Sequence, residues 1–136
     1  MVSAQSTPLV VARDRLEARR WPDGPRCPRC RAGDRVVKRA NGYHRCLDCR
    51  HDFTVRAGTV LARSRVPLDA WLYCMAVLVE VGRGATAAQI AKAAEVTPKT
   101  ALFMRRRLRP VLITLEPWPR NLDEMIDAVL RPGGRT

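Results

Sequence analysis

Four cysteines of this 136-residue chain fall into two matched pairs, Cys27-Pro-Arg-Cys30 and Cys46-Leu-Asp-Cys49, with fifteen residues between them. A Cys-x2-Cys turn aims two thiolates at one point, and a second such turn facing the first completes a tetrahedral shell. That is the shell zinc takes in structural sites. Disulfide pairing is the competing chemistry, but it requires an oxidising compartment, and no stretch of the sequence has the form of a secretory signal. Cys27, Cys30, Cys46 and Cys49 are therefore the expected ligands, and Zn2+ the expected cofactor. His44 and His51 flank the second pair and are able to substitute as ligands. Beside four cysteines they read better as a strand residue and a surface or phosphate-facing residue.

The segment between the pairs has the composition to bring them together. Residues 35–39 are rich in strand formers, Asn41-Gly42 is a strong hairpin-turn dipeptide, and residues 42–46 return towards the second pair; residues 51–55 supply a third strand. Short antiparallel strands carrying two cysteine turns make a zinc ribbon. A unit this small buries too little apolar surface to fold alone, so the metal is expected to supply much of its folding free energy.

Helical signals flank the ribbon. Thr7-Pro8 reads as an N-cap followed by proline at the first helical position, opening a helix to about Arg20 with Leu9, Leu16 and either Val10 or Ala12 on a thin apolar face. Trp21 is expected to pack that helix onto the ribbon. Past the connector Arg63-Ser64-Arg65, Val66-Pro67 opens a helix to Val81, with Leu68, Trp71, Leu72, Met75, Leu78 and Val79 at core spacing. Cys74 within it reads as a buried small hydrophobe rather than a nucleophile, since no activating base lies near it in sequence. Gly82-Arg83-Gly84 ends that helix, and Thr86 with Gln89 forms a capping box for a short alanine-rich one. Thr97-Pro98 then starts another, reaching about Arg109 before Pro110. Ala101, Met104, Leu108 and, less firmly placed, Leu102 are its inward positions.

Two short helices joined by a tight turn constitute a helix-turn-helix, in which the start of the second helix reaches base edges in the DNA major groove. Lys99, Thr100 and Phe103 occupy that start, while Arg105, Arg106, Arg107 and Arg109 are placed for phosphates. The fold expected is small α+β: an N-terminal zinc ribbon of short antiparallel strands followed by an all-α helix-turn-helix domain. The expected divisions are an N-terminal helix and turn (1–22), the ribbon (23–58), the helix-turn-helix domain (64–115) and an acidic tail (116–136). In the tail, Leu122, Met125, Ile126 and Val129 give a short amphipathic helix before a disordered end; whether that helix docks back or binds a partner is open.

Charge points the same way. The formal net charge is +12, and of 25 basic residues only Lys38, Lys92 and Lys99 are lysine. Residues 1–58 hold 13 basic against 6 acidic groups, residues 59–115 hold 9 against 3, and residues 116–136 hold 3 against 4. The excess thus lies on the segments expected to fold, which makes a polyanion, and double-stranded DNA first among polyanions, the expected partner. An arginine-rich composition is also what a GC-rich genome produces. The longest apolar stretch, residues 70–79, is too short to span a bilayer, so a cytoplasmic, nucleoid-associated protein without membrane contact is expected.

With these pieces in place, residues 20–30 and 43–55, the following Gly58-Thr59-Val60, Ser64-Arg65-Val66-Pro67-Leu68 and Trp71-Leu72 resemble a bacterial insertion-sequence transposase family. So do Ala88-Gln-Ile-Ala, Val96-Thr-Pro-Lys-Thr-Ala and Phe103-Met104, and the likeness covers roughly residues 12–112. The resemblance implies zinc on the four cysteines and DNA-end recognition by this region. In that family a DDE-type catalytic domain follows, with three spaced carboxylates holding two divalent metals. Here only 27 residues follow Arg109, and Asp123, Glu124 and Asp127 are clustered on one short segment. The expectation is a DNA-binding regulator or accessory factor that is not an enzyme. The alternative is an adaptor docking on transcription or other nucleic-acid machinery through the ribbon and tail; transcription machinery and a full-length transposase are the further candidate partners.

Overall fold

The computed structural model describes residues 8–31 and 33–131. Helix α1 (Pro8–Arg20) leads into a three-stranded antiparallel sheet of β1 (Val36–Lys38), β2 (His44–Cys46) and β3 (Asp52–Phe53). Four helices follow: α2 (Leu68–Val81), α3 (Ala87–Ala94), α4 (Pro98–Leu112) and α5 (Leu122–Val129). The architecture is the small α+β arrangement expected, with the ribbon in the N-terminal half. Thr7, the expected cap of α1, lies outside the described residues, as do residues 132–136 of the expected disordered end.

The sheet order is β1-β2-β3, with Val36 opposite Cys46, Lys38 opposite His44, and His44 opposite Phe53. All three strands are shorter than the composition predicts. The β1–β2 connection is also wider than a two-residue turn: residues 39–43 form it, around a single 3-10 turn over Ala40–Gly42. Asn41 and Gly42 still supply the left-handed conformations, at φ 60° and 83°. A side chain at Gly42 would meet the Arg13 side chain of α1 at 2.6 Å, so glycine both permits the turn and leaves room for that side chain to lie over it.

Helix α2 is the centre of the helical body, with Leu68, Ala70, Trp71, Cys74, Met75 and Leu78 buried. Helices α1, α3, α4 and α5 all pack against it. Leu16 and Ala12 are the buried residues of α1; Leu9 is 44 % exposed, a correction to its expected place on the apolar face. It lies within the first turn of α1, while the buried Ala12 and Leu16 lie further along the helix. Burial pushes the Cys74 thiol up to about 12, which fits its reading as an inert core residue.

Gly82, at φ 97°, ends α2. Thr86 and Gln89 exchange both bonds of the capping box, at 2.8 and 3.2 Å. Glu95 takes the left-handed conformation after α3, and Thr97 caps α4 by accepting from the Thr100 amide at 3.1 Å. Loss of such a cap costs about 1 kcal/mol. Thr86→Ala is accordingly expected to lower unfolding free energy by about that much in a urea titration.

Ala101, Met104 and Leu108 of α4 are buried, whereas Leu102 is 36 % exposed and faces away from the core. Helix α4 also runs through Pro110 rather than stopping before it. Proline donates no amide bond back to Arg106, four residues earlier, and both residues are on the exposed side of the helix.

The tail helix docks back. Met125, Ile126, Ala128 and Val129 are buried against α1, α2 and α4, while Asp123 and Asp127 pair with Arg15 and Arg19 of α1 at 3.1 and 2.5 Å. The preceding turn is held by Trp118, whose indole N–H donates to the Leu78 carbonyl at 3.0 Å. Among the described residues no helix is long and apolar enough to cross a membrane.

Candidate metal centre and adjoining basic faces

The two cysteine turns are built alike. The amide of Arg31 donates to the Cys27 carbonyl at 2.8 Å, and that of Arg50 to the Cys46 carbonyl at 2.7 Å. Both arginines are left-handed, at φ 65° and 62°, which closes each turn immediately after its second cysteine. The β1–β2 pairing then brings the turns face to face, with the Leu47 amide donating to the Arg35 carbonyl at 2.8 Å.

The four sulfurs of Cys27, Cys30, Cys46 and Cys49 all lie within 4.8 Å of one another, with Cys27–Cys49 and Cys30–Cys46 each at 3.5 Å. Zinc–sulfur bonds of about 2.3 Å in a tetrahedron require sulfurs roughly 3.8 Å apart. The spacing therefore fits a zinc ion, and it is far too long for disulfide bonds. All five cysteines are free. The four form a zinc-binding site in which the metal is structural, crosslinking the two turns.

Electrostatics within the thiol set agree. Burial opposes ionisation of Cys27, but the amides of Cys30 and Arg29 and the thiols of Cys49 and Cys30 outweigh it and lower its pKa to about 7. Burial and the thiol bond to Cys27 push Cys49 up to about 12. Zinc binds thiolates, and a divalent ion supplies the positive charge that stabilises them at this site.

Neither histidine joins the set. His44 is buried in β2, with Nε2 3.1 Å from a carboxylate oxygen of Glu17 on α1. Its ring meets Trp21 edge-on at 5.4 Å, and Trp21 meets Phe53 at 5.7 Å. Trp21 thus joins α1 to the ribbon, as its position between them predicts. His51 is half-buried and stacked on Phe53.

The basic residues of α4 divide over three surfaces. Lys99 and Phe103 are exposed beside a groove of about 800 Å³, whose other wall is Arg63, Arg65 and Pro67 of the connector. Thr100 is half-buried on the same side, its Oγ1 accepting from the Thr97 hydroxyl at 3.0 Å. Arg105, Arg106 and Arg109 lie round the helix, exposed and without a partner among the described residues, and line a second hollow of about 520 Å³ with Arg83, Trp118 and Ile113. Arg107 stands apart. It donates to the Ala62 carbonyl at 3.0 Å and lies over the Phe103 ring at 5.5 Å, so its guanidinium binds the connector rather than facing solvent.

Arg63 and Arg65 are absent from the residues predicted as DNA contacts. The sequence signal for them was the alternation Arg-Ser-Arg itself, in a stretch without periodicity to say which side faces out.

Compared with known families, residues 10–52 match the family model described as a transposase zinc-ribbon domain, a span from α1 to the first residue of β3 and under half of the chain. No curated protein and no solved structure matches the chain. The similarity to that family therefore rests on α1 and the ribbon, and the α2–α5 region stands on its own geometry.

Proposed function

We propose that the protein is a zinc-dependent, double-stranded-DNA-binding regulator or accessory factor, resembling the recognition half of a transposase and lacking its catalysis. The observation that carries this reading is α3 and α4: two capped helices joined by residues 95–97, with Ala101, Met104 and Leu108 inward and Lys99, Phe103 and Arg106 outward. This arrangement supports a helix-turn-helix reading, in which the second helix would enter the major groove. The transposase-type ribbon and the net charge of +12 support it from independent directions.

The carboxylates of α5 support a role for this region in recognition rather than strand transfer. Asp123 and Asp127 are paired with α1 arginines, and Glu124 accepts from the Arg120 amide and guanidinium at 2.9 and 3.0 Å. All three serve packing and capping on one helix, which leaves them unsuited to holding two metal ions.

The test is selection of bound sites from random duplex DNA with zinc-loaded protein. A defined motif should be enriched, and log Kd should rise with log salt by roughly 0.9 per phosphate neutralised. Lys99→Ala and Phe103→Ala should relax the preference at one or two positions of the motif. Unenriched DNA together with a flat salt response would sink the reading.

A further inference from the structure

The connector, residues 56–67, has no helix or strand, yet it is held at nearly every turn. Arg56 donates to the Val66 carbonyl at 2.6 Å, the Thr59 hydroxyl to the Arg56 carbonyl at 2.6 Å, and Arg107 reaches across from α4 to Ala62. Leu61 and Val66 are buried in the helical core. Ser64 is fixed most tightly: its Oγ accepts from the Val66 amide at 3.1 Å and from the indole N–H of fully buried Trp71 at 3.3 Å.

Pinning Ser64 inward leaves its two neighbours outward. Arg63 and Arg65 are exposed and have no hydrogen-bond or ion-pair partner among the described residues. Arg63 also sits at φ 65°, a conformation that costs any residue but glycine. Across the 800 Å³ groove stand Lys99, Thr100 and Phe103. Thr100 donates its amide to Thr97 Oγ1 and accepts the Thr97 hydroxyl at its own Oγ1, so its hydroxyl proton is free to donate. Glu95 is the one carboxylate on the lining, so three cations face one anion.

Three solvated cations around an open groove repel one another and are only partly offset by the single carboxylate of Glu95. A phosphodiester strand supplies the remaining counter-charge, and the guanidinium fork is shaped for phosphate oxygens. The fixed backbone under Arg63 and Arg65 removes part of the ordering cost that a flexible basic arm would incur on binding. We propose that this groove seats one backbone strand of the bound duplex, with Arg63 and Arg65 as phosphate ligands that set how α4 lies in the adjoining major groove. The proposal rests on the duplex-binding reading above, and deepens it by adding the connector as a contact.

The experiment compares wild type, Arg63→Gln/Arg65→Gln and Lys99→Ala on the selected duplex across a salt series, with zinc content and melting temperature as folding controls. The double variant should keep its zinc and melting temperature and bind roughly ten- to a hundred-fold more weakly. Its salt slope should be smaller by roughly 1.8, two phosphates' worth, and its preferred sequence unchanged. Duplexes carrying single neutral methylphosphonates should locate the contact: one or two positions that weaken wild type should leave the double variant unaffected. An unchanged slope and affinity, with wild-type binding intact and Lys99→Ala weakened, overturns this proposal alone. A changed sequence preference with an unchanged slope makes the arginines base readers and also overturns it. Absence of any duplex binding by wild type removes both readings together.

Discussion

Stripped of zinc by a strong chelator, the protein is expected to lose the ribbon and keep most of its helices. The buried cluster of the ribbon is Cys27, Cys46 and Phe53, with Trp21, Val36, Cys49 and Ala57 around it. Two of its three buried members are metal ligands, so the apolar remainder is essentially one phenylalanine. Zinc binding contributes about 10–16 kcal/mol in small zinc-finger peptides at neutral pH. Full burial of one large apolar side chain contributes only about 1.5–3 kcal/mol. The metal term therefore decides whether β1–β3 exist. The helical core is a separate cluster, built from Leu16, Trp71, Met75, Leu78, Ile90, Met104, Leu108 and Ile126 among others, and needs no ligand. Far-ultraviolet circular dichroism should consequently change little on chelation. Trypsin should begin cutting within residues 26–50, and the fluorescence of Trp21, now edge-on to His44 and Phe53, should shift. Cys46→Ser should reproduce all three changes. Unchanged resistance to trypsin after chelation would refute the zinc site.

The metal centre was legible from the sequence because its signal is local: two cysteine pairs of fixed spacing and a turn dipeptide between them. The caps of α3 and α4 were legible for the same reason, since Thr86 with Gln89 and Thr97 with Thr100 bond within one turn. What escaped depends on partners far away in the chain. Arg107 looks like any basic residue on a helix face, and only the fold brings the Ala62 carbonyl to it. Arg20 likewise donates to the Val55 carbonyl at 2.7 Å, and Arg83 to the carbonyls of Leu112 and Leu115. Part of the arginine excess thus binds carbonyls of irregular segments and of the C-terminal end of α4. Composition alone assigns every arginine to a polyanion; geometry divides them. Arg105, Arg106 and Arg109 remain free on α4, and Arg63 and Arg65 join them from a segment whose lack of periodicity hid its exposed side.

The acidic tail helix is the other feature that local pattern left open, and Ile126→Ala settles its role by magnitude. If α5 were a solvated partner motif, truncating one of its apolar residues would cost little stability. Ile126 is instead fully buried, on a helix packed against α1, α2 and α4. Truncation of a buried isoleucine costs about 2–5 kcal/mol, the lost transfer energy plus the cavity left behind. Domains of this size are stable by about 5–15 kcal/mol, so the change removes a large share and should lower the melting temperature by on the order of 10 °C. The ion pairs beneath α5 provide the contrast. Arg15–Asp123 and Arg19–Asp127 have side chains 40–45 % exposed, where screening and side-chain entropy offset most of the attraction. Asp123→Asn/Asp127→Asn should hence melt close to wild type, with the small loss shrinking further as salt is raised. A large effect of the charge variant and a negligible one of Ile126→Ala would mean that α5 is held electrostatically and can leave the body. That outcome would revive an adaptor role for the tail. The opposite outcome makes α5 the strut that holds α1, and with it Trp21 and the ribbon, in a fixed relation to α4. Under the proposed duplex-binding function, the ribbon and α4 can share one binding site only if such a relation is maintained.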